Sequence, residues 1–453
     1  VIGAGITGLV AARALAAEGL DVVVLEAADQ PGGKIRTDQI DGITIEEGPD
    51  AFLPRGPRPL EICSELGIAD ELTSPTEFGA HVFADGGLKP LPRDTVLGFP
   101  TSLRSLSRSG IIGPLGVARA ALDLVLPGPL KGPDVSVGSF ARKRFGEEVA
   151  TRLVDPLLAG TRAGRADNMS LAAAAPEVDR AARSERSVMR GLRASGGKKS
   201  NGRGRSGPVF YTPRAGMKRL IEALCADLHG AEIRIGVSVT RVERHGTLRL
   251  SLASGETLEI DSLVATTPSF VTADLIHAMD PVAAEGLAAI EHSSGAVVNL
   301  LFRADGIEPP STGSGVLVPS REERVLSACT WSFRKWPQHS LDDRLRMVRT
   351  FVGRAERHPA LDLRDEDLVE DIVEDLSRLI AVRSDPIKSK ITRWERGLPV
   401  YEIGHLDRVD TVSRRLAPRG LFLAGASYRG SGIPDCIRQA EEAAGSVLEF
   451  LRS

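Results

Sequence analysis

The chain opens on Val1-Ile2-Gly3-Ala4-Gly5-Ile6-Thr7-Gly8, and the reading of this stretch decides the fold. Gly3, Gly5 and Gly8 fit the spacing GxGxxG, a weak pattern by itself. The residues that follow give it weight. Leu9, Val10, Ala11 and Leu15 make an apolar helical stripe, and Gly19 stops the helix. Asp21-Val22-Val23-Val24-Leu25 then reads as a buried strand closed by Glu26. Strand, tight turn, helix, strand, acid is the order of a dinucleotide-binding βαβ unit. Val1 carries no signal-peptide pattern, and a whole first strand would need a few residues before it.

Each residue type has a physical task. Gly3 permits the tight turn, Gly5 lets backbone approach a pyrophosphate, and Gly8 lets helix and strand pack closely. The helix N-terminus offers free N–H groups and a positive dipole end to phosphates. Glu26 can accept from ribose hydroxyls.

The next segments choose FAD over a nicotinamide nucleotide. In Pro31-Gly32-Gly33-Lys34-Ile35-Arg36-Thr37, adjacent glycines bring backbone close to a ligand again, and Arg36 offers guanidinium donors to a phosphate. Glu46-Glu47-Gly48-Pro49-Asp50-Ala51-Phe52 then reads as a turn. A nicotinamide half-site needs neither segment, whereas an FAD lying extended across the fold does. Near the other end, Gly420 to Gly425 reads as a short buried strand. A loop leads into a helix opened by Ile433-Pro434-Asp435-Cys436 and running to about Phe450. Pro434 suits its first turn and Asp435 its positive end. A helix aimed at the flavin pyrimidine would stabilise negative charge on reduced flavin.

Composition narrows the class. The chain has 453 residues, a net charge of -3, 42% hydrophobic and 26% charged residues. These values suit a globular protein of two or three domains and give no reason to expect nucleic acid. No apolar run approaches the ~20 residues of a spanning helix. Cys63, Cys225, Cys329 and Cys436 lie far apart, with no spacing for a metal, and read as reduced thiols of a cytoplasmic protein.

Together these motifs resemble the flavin amine oxidase and protoporphyrinogen oxidase superfamily. The porphyrinogen-oxidase branch is similar at Gly48 to Leu53 through Arg58 to Ile68, at Leu88 to Pro92, and at Asp155 to Gly160. It is similar again at Thr212 to Met217, at Trp394 with Pro399-Val400-Tyr401 and Gly404-His405, and at Gly430 to Cys436. The chain departs from the family at Thr161-Arg162. By this resemblance, Gly3, Ala4, Gly5, Ile6, Thr7 and Gly8 match the phosphate turn, and Glu26 and Ala27 the ribose contact. Lys34 with Gly48, Pro49, Asp50 and Ala51 match flavin-side contacts, and Val239 the residue whose backbone holds adenine. Trp394, Ser431, Gly432 and Ile433 match isoalloxazine contacts, and Gly33, Arg36 and Gly425 are further cofactor-binding candidates. Arg58 resembles a basic residue that pairs with a substrate propionate, and His405 reads as structural.

The resemblance implies an oxygen-utilising FAD oxidase of haem biosynthesis that turns a porphyrinogen into a porphyrin. Arginines at Arg55, Arg58, Arg162 and Arg165, with the basic stretch Arg180 to Gly207, favour the substrate with four propionates, coproporphyrinogen III. Protoporphyrinogen IX, with two, is the alternative. The expected partners are porphyrinogen and molecular oxygen, with hand-over of product to a downstream haem-pathway enzyme. Membrane contact is peripheral at most. A flavin amine oxidase is a remoter alternative, because its paired aromatics are scarce at 4% aromatic content. A carotenoid desaturase, or a flavoprotein that only binds, is remoter still.

The expected fold class is α/β, a Rossmann-like FAD domain of the amine-oxidase type with a discontinuous α+β substrate domain and a helical insertion. The FAD domain takes residues 1–60, 208–272 and 390–453, and the substrate domain 61–92 and 273–389. A helical part at 93–207 serves substrate access or membrane contact, and 180–207 reads as a mobile basic loop.

Overall fold

A computed structural model describes residues 1–92, 94–125, 128–162, 164–197, 209–340, 342–353 and 358–453. The first helix runs Ile6–Ala17, and Gly19 follows it at φ +80. Leu9, Val10, Ala11 and Ala12 are buried, so the helix lies inside the molecule rather than on it. The strand Val22–Glu26 pairs in parallel with Ala231–Ile235. Ile2 bridges Leu25 on one side and Ala265 on the other. Leu263–Ala265 in turn pairs in parallel with Leu421–Leu423. The result is a parallel layer, assembled from distant segments, with the first helix packed on it. Burial explains why Val22–Leu25 and Leu263–Ala265 read as continuous apolar runs, whereas the outer strand Ala231–Ile235 alternates apolar and charged residues and is only partly covered. The closing helix, Ile433–Arg452, packs beside the first through Ile433, Cys436, Ile437, Ala440 and Ala444. Ile62, Cys63 and Ile68 join this core.

The segment after residue 238 forms an antiparallel meander of Val239–His245, Thr247–Leu252 and Thr257–Ile260. A second sheet has seven strands, in the spatial order Lys388–Pro399, His292–Arg303, Leu345–Val352, Leu326–Trp331, Gly315–Leu317, His81–Ala84 and Gly87–Pro90. It is antiparallel except where Gly315–Leu317 meets His81–Ala84. Leu300, Phe302, Trp331 and Val348 lie in its core.

Residues 103–197 are mainly helical and bury their own core around Phe99, Phe145, Leu153 and Leu171. The expected mobile loop is corrected in its described part. Pro176–Ser184 and Val188–Gly197 are helices, because Val178, Ala181 and Ala182, then Val188, Met189 and Leu192, repeat at helical spacing and are buried. The basic run hid that periodicity. Positions 198–207 of the stretch, and the side chain of Arg162, lie outside the described residues. Among the described residues no helix is long and apolar enough to cross a membrane.

Candidate functional site

The glycine turn is the centre of the site. Gly3 sits at φ +99, a left-handed conformation that side chains resist. A Cβ on Gly8 would fall 1.9 Å from the Gly3 carbonyl and 2.9 Å from Oγ1 of Thr266. Gly8 is therefore fixed by the turn and the neighbouring strand. Gly5 differs: a Cβ there would meet nothing within 4 Å, so open space faces the N-terminus of the first helix. No side chain caps that terminus. Uncapped N–H groups, a positive dipole end and free space together fit a phosphate group.

Glu26 closes the neighbouring strand as expected. Its carboxylate accepts from the N–H of Ala4 at 2.7 Å and of Ala28 at 2.9 Å. Each oxygen keeps a second lone pair for another donor. The Val237 N–H donates to the Glu26 carbonyl at 2.8 Å, which draws the start of the Val239 strand alongside. The second glycine segment folds back on the first: Gly32 N–H donates to the Ala4 carbonyl at 2.8 Å. Lys34 is half-buried and has no ion-pair partner among the described residues; burial lowers the pKa of its ammonium. A Cβ on Gly48 would sit 1.7 Å from the Lys34 carbonyl, so the two segments touch backbone to backbone.

The closing segment reaches the same place. A Cβ on Gly425 would lie 3.7 Å from Oγ1 of Thr7. Thr7 also faces the Cys436 thiol and offsets part of the effect of burial, which pushes the thiol pKa up to about 11. The loop between them is held from several sides. The Tyr401 hydroxyl donates to the Ala426 carbonyl at 2.5 Å and accepts from Gly430 N–H at 3.1 Å. His405 Nε2 donates to the Tyr428 carbonyl at 2.7 Å. Gln439 donates to the Gly430 carbonyl and accepts from Arg429 N–H, both at 3.1 Å. His292 Nδ1 is 3.0 Å from the Ile290 carbonyl, which makes Nδ1 the protonated nitrogen, and Nε2 then accepts from Ser427 Oγ at 3.1 Å. Burial lowers the pKa of both His292 and His405 to about 4, so each is neutral near pH 7. The closing helix then begins at Gly432 with no side-chain cap.

Trp394 and Arg36 also meet. Trp394 Nε1 donates to the Glu47 carbonyl at 2.8 Å. The Arg36 guanidinium lies 5.6 Å from the Trp394 ring centroid, and its Nε donates to the Gly33 carbonyl at 3.2 Å.

Two expected residues face elsewhere. The Arg58 guanidinium is engaged by Glu65 and, at 2.6 Å, by Glu441, and the Glu65 hydrogen bond raises its pKa. Asp50 turns toward the seven-stranded sheet. It accepts from Lys335 Nζ at 2.7 Å and Trp336 Nε1 at 3.0 Å, with Arg349 at 3.7 Å. Burial alone would raise the Asp50 pKa; Lys335 and Arg349 outweigh it and hold the carboxyl well below its usual range.

Sequence reasoning missed Arg349, which donates to the Gly48 carbonyl, and Asn299, which donates to the Glu46 carbonyl at 3.3 Å. A signal was present: each interrupts an apolar strand run, and both are buried. His292, Lys335 and Trp336 left no such mark. Among the described residues no group of His, Cys, Asp or Glu could hold a metal ion.

Comparison with known proteins agrees with this geometry. The family model for flavin containing amine oxidoreductases matches residues 6–448. The coproporphyrinogen III oxidase of Bacillus subtilis (strain 168) is 32% identical, with 100% of this chain and 98% of the relative covered. That of Staphylococcus aureus is 30% identical over 100% and 99%. A crystal structure from Exiguobacterium sp. 255-15, provisionally assigned as a protoporphyrinogen oxidase, is 28% identical at a TM-score of 0.86, covering 100% and 98%. A putrescine oxidase at 16% identity and a TM-score of 0.70 shares the fold.

Proposed function

Because this chain belongs to the flavin-containing amine oxidoreductase family, we propose that it is an FAD-dependent oxidase converting coproporphyrinogen III to coproporphyrin III in haem biosynthesis. The observation that carries the reading is full-length similarity to bacterial coproporphyrinogen III oxidases, together with a dinucleotide cradle built by three distant segments. Flavin is the cofactor of the family, and FAD is its form in this reading.

The roles follow from the geometry. Gly3 to Gly8 and the first helix hold the pyrophosphate, and Glu26 the ribose, with the Val239 strand beside the adenine. Gly33, Lys34, Arg36, Gly48, Pro49, Ala51, Trp394, Gly425 and Ser431 to Ile433 surround the flavin, while Asp50 fixes their segment to Lys335 and Trp336. These contacts come from segments 1–60, 208–272 and 390–453, which make up the FAD-binding unit of this reading. Bound FAD supplies a two-electron acceptor, restored by oxygen with release of hydrogen peroxide. Three such rounds remove six hydrogens from the porphyrinogen and consume three molecules of oxygen. The chain itself orients the macrocycle, keeps water out and holds the closing helix toward the ring. Product then passes to a downstream haem-pathway enzyme.

The test is direct. The purified protein is expected to be yellow, to release FAD on denaturation, and to develop porphyrin fluorescence with coproporphyrinogen III at higher kcat/KM than with protoporphyrinogen IX. A preference for protoporphyrinogen IX would overturn the substrate, and a colourless protein that refuses FAD would overturn the whole reading.

A further inference from the structure

One arginine beside the proposed flavin site has no charged partner among the described residues and an unusual backbone. The strand Lys388–Pro399 runs antiparallel to His292–Arg303, with Trp394 opposite Gly295 and Leu398 opposite Ser293. Glu395, Arg396 and Gly397 therefore stand against the single residue Ser294. Such bulges re-aim a side chain. Arg396 takes φ +47, a left-handed conformation that non-glycine residues rarely hold. Its N–H donates to Ser294 Oγ at 2.9 Å, which fixes the bulge. Strain of this kind persists where the surroundings enforce it and clusters at ligand sites.

The side chain is positioned as tightly as the backbone. The guanidinium carbon lies 3.6 Å from the centroid of the Phe270 ring. Phe270 in turn meets the His292 ring edge-on, at 5.0 Å and 88°. Arg396 is exposed and pairs with no carboxylate among the described residues. Arg393 on the same strand pairs with Asp365, and Arg429 on the facing loop with Asp410. Lys34, also without an ion pair among the described residues, contributes positive charge at His292 along with Arg396. A guanidinium stacked on a ring has lost its freedom but kept its outward N–H fork, which matches a carboxylate in two parallel hydrogen bonds. A solvated surface arginine would need neither a strained bulge nor an aromatic platform.

We propose that Arg396 is an anchor for a carboxylate of the substrate, placed two residues after Trp394 so that the macrocycle is held at the flavin by one of its propionates. This rests on the porphyrinogen reading above. Arg58, whose guanidinium is taken by Glu65 and Glu441, is not needed for that task.

The experiment uses the flavin-loaded full chain and three variants, Arg396→Asn, Arg396→Gly and Arg396→Lys. Asparagine and glycine tolerate the left-handed backbone, so both are expected to fold and keep flavin. KM for coproporphyrinogen III should rise about tenfold in both, with kcat within about twofold, and Arg396→Lys should recover part of the loss. The Kd of coproporphyrin III, followed by fluorescence titration, should rise by a similar factor. Unchanged KM and Kd in a chain that oxidises porphyrinogen overturn the anchor and leave the enzyme reading intact. So does a loss confined to kcat. If the unaltered chain oxidises neither porphyrinogen, the enzyme reading falls and the titration alone judges Arg396. A Kd raised in Arg396→Asn and Arg396→Gly then keeps the carboxylate anchor, and an equal Kd removes it.

Discussion

Asp50 and Lys335 form a 2.7 Å ion pair that ties the segment after the Gly48 turn to the short helix Ser332–Lys335, which follows the strand Leu326–Trp331 of the seven-stranded sheet. Trp336 and Arg349 complete the arrangement around the same carboxylate. Replacing Lys335 by Met leaves a buried carboxylate with weaker compensation. Removing one partner of a buried pair costs roughly 3–5 kcal/mol, and the remaining Arg349 and Trp336 reduce the expected loss to about 2 kcal/mol. Urea unfolding of the Lys335→Met variant measures it. A midpoint equal to that of the unaltered protein would show that Arg349 and Trp336 suffice without Lys335.

Glu46 predicts a pH dependence. Burial raises its pKa to about 8 from 4.5, against the opposing hydrogen bonds from Met217 N–H and the Thr37 hydroxyl. A raised acid pKa means that the folded chain binds more protons than the unfolded one between those values. This group's contribution to stability is therefore full below about pH 4.5 and falls as pH rises toward 8. Glu46→Gln should flatten that limb of the stability profile while its amide oxygen still accepts from Met217. Thermal unfolding from pH 5 to 9 checks the prediction, and a variant profile parallel to that of the unaltered chain would refute it.

Two glycines separate ligand space from packing. A Cβ at Gly5 meets nothing, whereas one at Gly48 strikes the Lys34 carbonyl at 1.7 Å. Gly5→Ala should fold normally in the absence of flavin yet bind it on the order of tenfold more weakly, because the methyl occupies the space facing the helix N-terminus. Gly48→Ala should fail to accumulate as folded protein, because two backbones must separate. Apo-protein circular dichroism and flavin titration together distinguish the two. Equal behaviour would refute the assignment of that space to a phosphate.

Tyr401 holds the loop before the closing helix at two points. Tyr401→Phe leaves a carbonyl and an N–H unpaired in a partly buried loop, at an expected cost of about 1–2 kcal/mol. The helix N-terminus should then be less well fixed, and the flavin reduction potential should fall as its dipole loses alignment. Potentiometric titration reads this, and an unchanged potential would confine Tyr401 to stability.

What the sequence determined was local. Gly3, Gly5 and Gly8, the apolar stripe behind them and Glu26 are legible because a tight turn, a buried helix and a strand-end acid are set by spacing over a few residues. Pro434 and Asp435 mark the closing helix for the same reason. The helical structure within 180–197 was missed because charge density masked a helical repeat of buried residues. The tertiary structure alone decided the partners of long polar side chains. Asp50 and Lys335 are 285 residues apart, and Arg58 and Glu441 are 383 apart. Nothing near Arg58 foretold that Glu441 would occupy it, and nothing near Arg396 foretold that Phe270 would carry it. Backbone preference acts through neighbours in the chain, whereas a charge is satisfied by whatever group the fold brings within reach, and that is fixed only when the layers have packed.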